Sequence, residues 1–331
     1  MSEFDLIRRY FTRSTPNTLL GVGDDAALLH VSGGKTLAVS TDMLVCGTHF
    51  FADADPFLLG HKTLAVNLSD LAAMGAVPRW ATLALALPEA NANWLEPFSA
   101  GFFALADQYG VELIGGDTTR GPLNLCVTIF GEVDAERALR RSGAKIGDEI
   151  WVSGKLGDAA LALAHLQGRV ALTQDEYAAC ASALHRPEPR VALGLALHGI
   201  ASSAIDISDG LMADLGHLLD ASNVGAELDV QAMPVSNTLL ALSRANAHPS
   251  PACGRGVGGE GGVLQQCVLS GGDDYELCFT APLARHTDIM RISEQLALPL
   301  TRVGRIIAEH ALRDTSGNPI NQESNGYDHF R

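Results

Sequence analysis

The stretch Gly21-Val22-Gly23-Asp24-Asp25-Ala26-Ala27-Leu28-Leu29 decides how the fold is read. From Gly21 to Ala26 its letters satisfy GxGxxA, the phosphate-binding spacing of a dinucleotide fold. Context rejects that reading. No long strand precedes Gly21, the helix that would follow is too short, and Asp24 and Asp25 would face the pyrophosphate they were meant to bind. What remains is two adjacent like charges at a glycine turn, and these repel unless a cation or water separates them.

Outward from that turn, acids recur in the same setting. Ser40-Thr41-Asp42, Asp70, Gly116-Asp117, Asp206-Ile207-Ser208-Asp209 and Asp273-Asp274 each stand at the end of an apolar run or beside glycine. A single such Asp is most often a cap or a turn former. Together, Asp, Ser and Thr oxygens are the hard donors magnesium prefers, and no His or Cys cluster competes for a softer metal. The acids are scattered between residues 24 and 274 with no spacing rule to unite them. The residues alone therefore leave a metal–phosphate site and a set of structural caps both open.

Composition narrows the classes. A chain of 331 residues has room for two domains, and 47% apolar with 18% charged residues is the profile of a folded protein. A formal charge of −15 speaks against nucleic acid and anionic membrane as partners, since both require basic patches. It also means that a polyphosphate ligand must be held through cations. The six cysteines form no CxxC pair and no zinc spacing, as expected for reduced thiols. Residues 1–11 read as a short amphipathic helix without a signal-peptide core, and no apolar run approaches the ~18 residues of a membrane span. The expected location is the cytoplasm.

Strands and helices alternate throughout, giving an α/β (α+β) class. Strands are expected at 36–44, 80–87, 111–114 and 123–133, and again at 149–153, 203–207, 226–230 and near 301–307. Asp55 as N-cap, Pro56 at the first helical position and Gly75 as stop predict a helix over 57–74, with Asp70 in its last turns. There the macrodipole disfavours an anion, which suggests a cation nearby. A second helix spans 93–109, ended by Gly110. The turn-like run Ala144 to Asp148 divides the chain into domains 1–147 and 148–331. Residues 246–262, rich in Gly, Pro and Ala, read as a flexible insertion, and the GxGxxG letters at 254–259 inside it follow no strand. The chain has no GxxxxGK[ST] loop and no kinase HRD or DFG motif. His49 stands as a general base or substrate contact against an ordinary structural role. Arg141 is a phosphate clamp or a solvated surface residue, and Tyr327 a ligand-stacking ring or an anchor for the tail.

Six segments carry a resemblance. Gly21 to Leu29, Ser40-Thr41-Asp42, Asn67 to Ala76, Gly115-Gly116-Asp117-Thr118-Thr119, Ile205 to Leu211 and Ser270 to Leu277 occur in the order found in the bacterial thiamine-monophosphate kinase family. That family lies within the aminoimidazole-ribonucleotide-synthetase-like superfamily, and the match runs over essentially the whole chain. The resemblance implies a two-domain fold. Its N-terminal domain would bind ATP and magnesium and contribute strands to a barrel shared across a homodimer; its C-terminal domain would close the site. It implies direct transfer of the ATP γ-phosphate onto thiamine monophosphate, with no phosphoenzyme and no general base. By position, Asp25, Ser40, Thr41, Asp42, Asp70, Asp117, Asp206 and Asp209 would be magnesium ligands for several ions. Gly116, Asp117, Arg141 and Ser208 would contact ATP; His49, Asp273 and Tyr327 would contact the thiamine phosphate. Position 273 is Asp where the family usually carries Glu, and the 246–262 insertion is foreign to it. The nearest alternative is another ATP enzyme of the superfamily, an amidine cyclase or selenophosphate synthetase; residues 1–20 lack the reactive cysteine the latter would want. A non-catalytic calcium module would bring its ligands from one loop, and no such loop is found.

Overall fold

A computed structural model describes residues 2–246 and 262–320, so Tyr327 and most of the expected insertion, 247–261, lie outside the described residues. The chain forms two compact units, Met1–Ala138 and Leu139–Arg331. Both are mixed α/β.

In the first unit, helix α1 (Glu3–Leu6) opens with a capping box between Ser2 and Asp5 and passes into a π-helical turn, Ile7–Phe11, that buries Tyr10 and Phe11. Then follow β1 (Thr36–Val45), α2 (Pro56–Ala73), β2 (Val77–Leu87), α3 (Ala92–Tyr109), β3 (Glu112–Arg120) and β4 (Asn124–Val133). The sheet runs β1-β4-β2-β3, with β4 antiparallel to both neighbours and β2 parallel to β3. Asp55 accepts N–H bonds from Phe57 and Leu58, and Pro56 begins the helix as its caps foretell. α2 is buried on nearly all sides because α3 and the sheet both cover it. The two helices touch backbone to backbone. A Cβ at Gly60 would lie 2.0 Å from the Phe98 carbonyl oxygen, and one at Gly101 1.9 Å from that of Phe57, so only glycine fits the crossing.

β3 is longer than the 111–114 expected. Glycines in a strand read as a break, yet the strand continues through Gly115, Gly116 and Asp117 to Arg120. The register slips between Ala81 and Thr82, and from there Gly116 lies tight against Leu83.

The second unit carries β5 (Glu149–Ser153), α4 (Asp158–Leu166), α5 (Gln174–His185), α6 (Val191–Ala196), β6 (Ser203–Asp206), α7 (Leu211–Ser222), β7 (Gly225–Leu228), α8 (Asn237–Asn246), α9 (Gly262–Ser270), β8 (Leu277–Ala281), α10 (His286–Leu296), β9 (Leu300–Ile307) and β10 (Leu312–Asp314). Its sheet runs β10-β7-β9-β5-β8-β6. The strand expected over 226–230 ends at Leu228, because Asp229 caps a 3-10 turn, Val230–Ala232. Ile150, Val152, Leu215, Leu218, Cys278 and Val303 form part of one apolar core. The 140–148 segment is bonded into this unit: Ala204 N–H donates to the Arg140 carbonyl, and Gly147 N–H to that of Ile306. No helix among the described residues is long and apolar enough to cross a membrane.

Candidate active site

The acidic turn that opens the sequence is held from both ends. Between Thr12 and Lys35 there is little regular structure, and two buried glutamates on the sheet hold that segment. Glu112 of β3 accepts the Asn17 N–H at 2.7 Å and the Thr18 hydroxyl. Glu132 of β4 accepts the Ser32 N–H at 2.6 Å, the Ser32 hydroxyl and Arg79 Nε. Burial would raise the Glu132 carboxyl, but those bonds and the Arg79 charge outweigh it and hold it below the usual range. Between these anchors Leu20 and Leu28 pair, closing residues 21–27 into a loop that presents Asp24 and Asp25 to solvent.

β1 distributes its three oxygen donors between its two faces. The Ser40 hydroxyl donates to Asp70 Oδ2 on α2, and the Asp42 N–H donates to Asn67 Oδ1 one turn earlier, at 3.1 Å. Ser40, Asp42 and Asp70 therefore gather where the strand meets the helix. Thr41 points the other way, 2.8 Å from the Thr128 hydroxyl. Gly116 and Asp117 stand elsewhere: the pairs Asp42–Val127, Val127–Leu83 and Leu83–Gly116 put them on the far edge strand. Three strand spacings separate those edges, about 14 Å. After β1 the chain turns at Gly47, and His49 Nδ1 accepts the Val45 N–H at 3.0 Å. That bond requires the neutral ring with its proton on Nε2.

In the second unit the segments carrying Asp206, Ser208, Asp209 and Asp273 lie side by side. Beyond the pair Asp206–Leu277, the strands β6 and β8 continue as an irregular ladder. Ile207 N–H donates to the Glu276 carbonyl, Tyr275 N–H to that of Ile207, and Asp273 N–H to that of Ser208. Ser208 and Asp273 are thus joined directly. Asp273 and Tyr275 both take left-handed backbone, φ 67 and 49, and the Tyr275 hydroxyl donates to Asp273 Oδ1 at 3.0 Å. Such strain persists only where the surroundings enforce it. Beneath lies a buried ion pair: Arg190 grips Glu276 through Nε and Nη2, and Ser153 donates to the same carboxylate. Asp274 Oδ1 accepts the Gly157 N–H, while burial holds its carboxyl well above the usual range. Arg141 is exposed, its carbonyl accepting the Ser222 hydroxyl.

The sequence reading missed Glu112, Glu132, Asn67, Tyr275 and Asp214. Asp214 sits in the first turn of α7, where an Asp reads as a solvated helix-start acid, yet it is buried and bonded to the loop before it. Burial, and then the charges of Asp206 and Asp209, push its carboxyl up to about 7. An acid whose folded value is raised costs stability as pH climbs from its unfolded value near 4 to about 7. Without divalent cations, thermal unfolding should therefore come at lower temperature at pH 8 than at pH 5. Asp214→Asn should flatten that slope, leaving the part of the same sign due to Asp274.

Among the described residues no three His, Cys, Asp or Glu side chains form a ready metal cage. The donor chemistry nonetheless fits magnesium. Oxygens come in ones and twos, and this ion keeps its waters and takes the rest of its shell from phosphate.

A fold with such acids on edge strands and turns defines a class. Residues 23–133 match the model of the AIR synthase related protein, N-terminal domain. Over 99% of its length the chain is 48% identical to the thiamine-monophosphate kinase of Salmonella typhimurium, covering 98% of that protein. The crystal structure of the thiamine-monophosphate kinase from Stenotrophomonas maltophilia K279a superposes with a TM-score of 0.83 at 47% identity, over 97% of this chain and 98% of that one. AaThiL complexed with AMPPCP and TMP gives 0.77 at 29% identity, over 99% and 96%. The chain belongs to the thiamine-monophosphate kinase family.

Proposed function

We propose that the protein transfers the γ-phosphate of ATP directly to the phosphate of thiamine monophosphate, giving thiamine diphosphate and ADP. The observation that carries this reading is likeness along the whole chain to the Salmonella enzyme, 48% identical over 99% of its length. The acidic composition supports it: with a net charge of −15, two anionic reactants can be brought together only through cations. Magnesium, when bound, neutralises charge on the phosphate oxygens. The residues that would hold several such ions are Asp25, Ser40, Thr41, Asp42, Asp70, Asp117, Asp206 and Asp209. Gly116, Asp117, Arg141 and Ser208 would contact ATP, and His49, Asp273 and Tyr327 the acceptor. His49 is fixed at its turn by the Val45 N–H, which donates to Nδ1. The attacking phosphate oxygen is already ionised at neutral pH, so alignment and charge neutralisation suffice and no general base is needed.

A homodimer is proposed as the working state. Strand β1 is an edge of its sheet and leaves Val39 and Met43 more than half exposed, an apolar strip suited to a second copy. The cytoplasm is the proposed location; the described cysteines are all free thiols, as a reducing compartment requires. The decisive assay supplies ATP, magnesium and thiamine monophosphate to the purified protein and measures thiamine diphosphate and ADP. Absence of thiamine diphosphate would refute the reading. Tyr275→Phe, which removes one hydrogen bond from Asp273 Oδ1, should raise the KM for thiamine monophosphate roughly three- to tenfold with kcat within about twofold, the cost of that bond.

A further inference from the structure

Three consecutive backbone N–H groups, those of Ser208, Asp209 and Gly210, converge on a single oxygen, Asp214 Oδ2, at 3.0, 3.0 and 3.1 Å. Such a run at the start of a helix is ordinarily a concave anion site, open to a phosphate. Here the chain fills it with its own carboxylate, carried on the first turn of α7 and only 3% exposed. The opposite side of the loop is fixed as well: Ser208 gives its carbonyl to Asp273 N–H, and a Cβ on Gly272 would lie 2.4 Å from that carbonyl oxygen. The loop is thus clamped between a buried acid and the neighbouring strand.

We propose that Asp214 is a positioning residue for nucleotide binding, holding Ser208 and Asp209 in the one loop shape from which their side chains meet the magnesium-bearing polyphosphate. This rests on the function proposed above. Asp214 itself touches neither substrate. It removes the loop's N–H groups from competition for phosphate, so the nucleotide is gripped there by side chains and cations and not by the helix terminus.

The test uses full-length Asp214→Ala and Asp214→Asn with the wild type. Asparagine keeps an acceptor oxygen at the same reach and drops the charge; alanine keeps neither. Amide hydrogen exchange over residues 206–212 is read with and without magnesium and a non-hydrolysable ATP analogue. Steady-state kinetics are then read for each substrate separately. In Asp214→Ala, exchange at Ser208 to Gly210 should be at least about tenfold faster and kcat/KM for ATP at least about 100-fold lower, with KM for ATP rising more than KM for thiamine monophosphate. Asp214→Asn should retain protection and stay within about tenfold of wild type. Unchanged exchange and ATP kinetics in the alanine variant would overturn the proposal. So would an asparagine variant damaged as badly as alanine, because charge and not loop geometry would then be the need. Should alanine fail to fold, Asp214→Leu, which fills the same space without an acceptor oxygen, is read in its place with the same expected losses. If the wild type makes no thiamine diphosphate, the function reading falls, while the exchange arm still reports whether Asp214 holds the loop.

Discussion

Replacing Asp42 by asparagine should lower kcat at least about 100-fold, the size of effect expected when a cation that neutralises transition-state charge loses a ligand. Stability should hardly change. The backbone bond from Asp42 to Asn67 is made by the main chain and survives the substitution, while the lost charge sits close enough to Cys126 to raise its thiol, an effect secondary to burial there. Thermal unfolding in the absence of metal, paired with ADP release measured across a magnesium titration, checks both halves. Wild-type turnover at limiting magnesium would strike Asp42 from the ligand set. Asp209→Asn provides the matching measurement in the second unit.

The second large effect concerns two adjacent glycines with opposite expectations. At Gly116, φ is +147 and a Cβ would lie 1.9 Å from the Leu83 carbonyl oxygen, so alanine must force β3 away from β2 or abandon that backbone shape. A loss on the order of 3 kcal/mol is expected, lowering Tm by about 10 °C, and activity should fall because Asp117 moves with the strand. At Gly115 the nearest atom to a Cβ is Thr82 Cγ2 at 3.9 Å, ordinary contact. Gly115→Ala should leave Tm within about 2 °C of wild type. Differential scanning calorimetry of both variants settles the pair; equal effects would mean the close approach at Gly116 is not what the position requires.

How much of this was legible before the fold was known depends on whether the signal was local. Helix α2 was readable to within a residue because its caps and stop are local chemistry: Asp55, Pro56 and Gly75 act on their own neighbours. β3 was cut short because glycine's local preference is to break a strand, whereas its value here is a contact with Leu83, far off in sequence. Each acid taken alone leaves a cap and a metal ligand both open, and only the fold brings Ser40 to Asp70, or Ser208 to Asp273. Glu112, Glu132 and Asp214 were passed over for the converse reason. Their residue types are the commonest on any surface, and what sets them apart is burial, which no short window of sequence displays.

The glycine crossing of α2 and α3 has a reach beyond its own packing. From Gly60 to Asp70 is ten residues of continuous helix, about 15 Å at the α-helical rise. Gly60 and Gly101 act as the pivot of a lever whose far end carries a proposed ligand. A methyl group that tilted α2 by about 4° would swing Asp70 by about 1 Å, a displacement large enough to cost on the order of a hundredfold in rate. Activity in this enzyme should thus be sensitive to side-chain volume at a place that touches neither nucleotide nor acceptor.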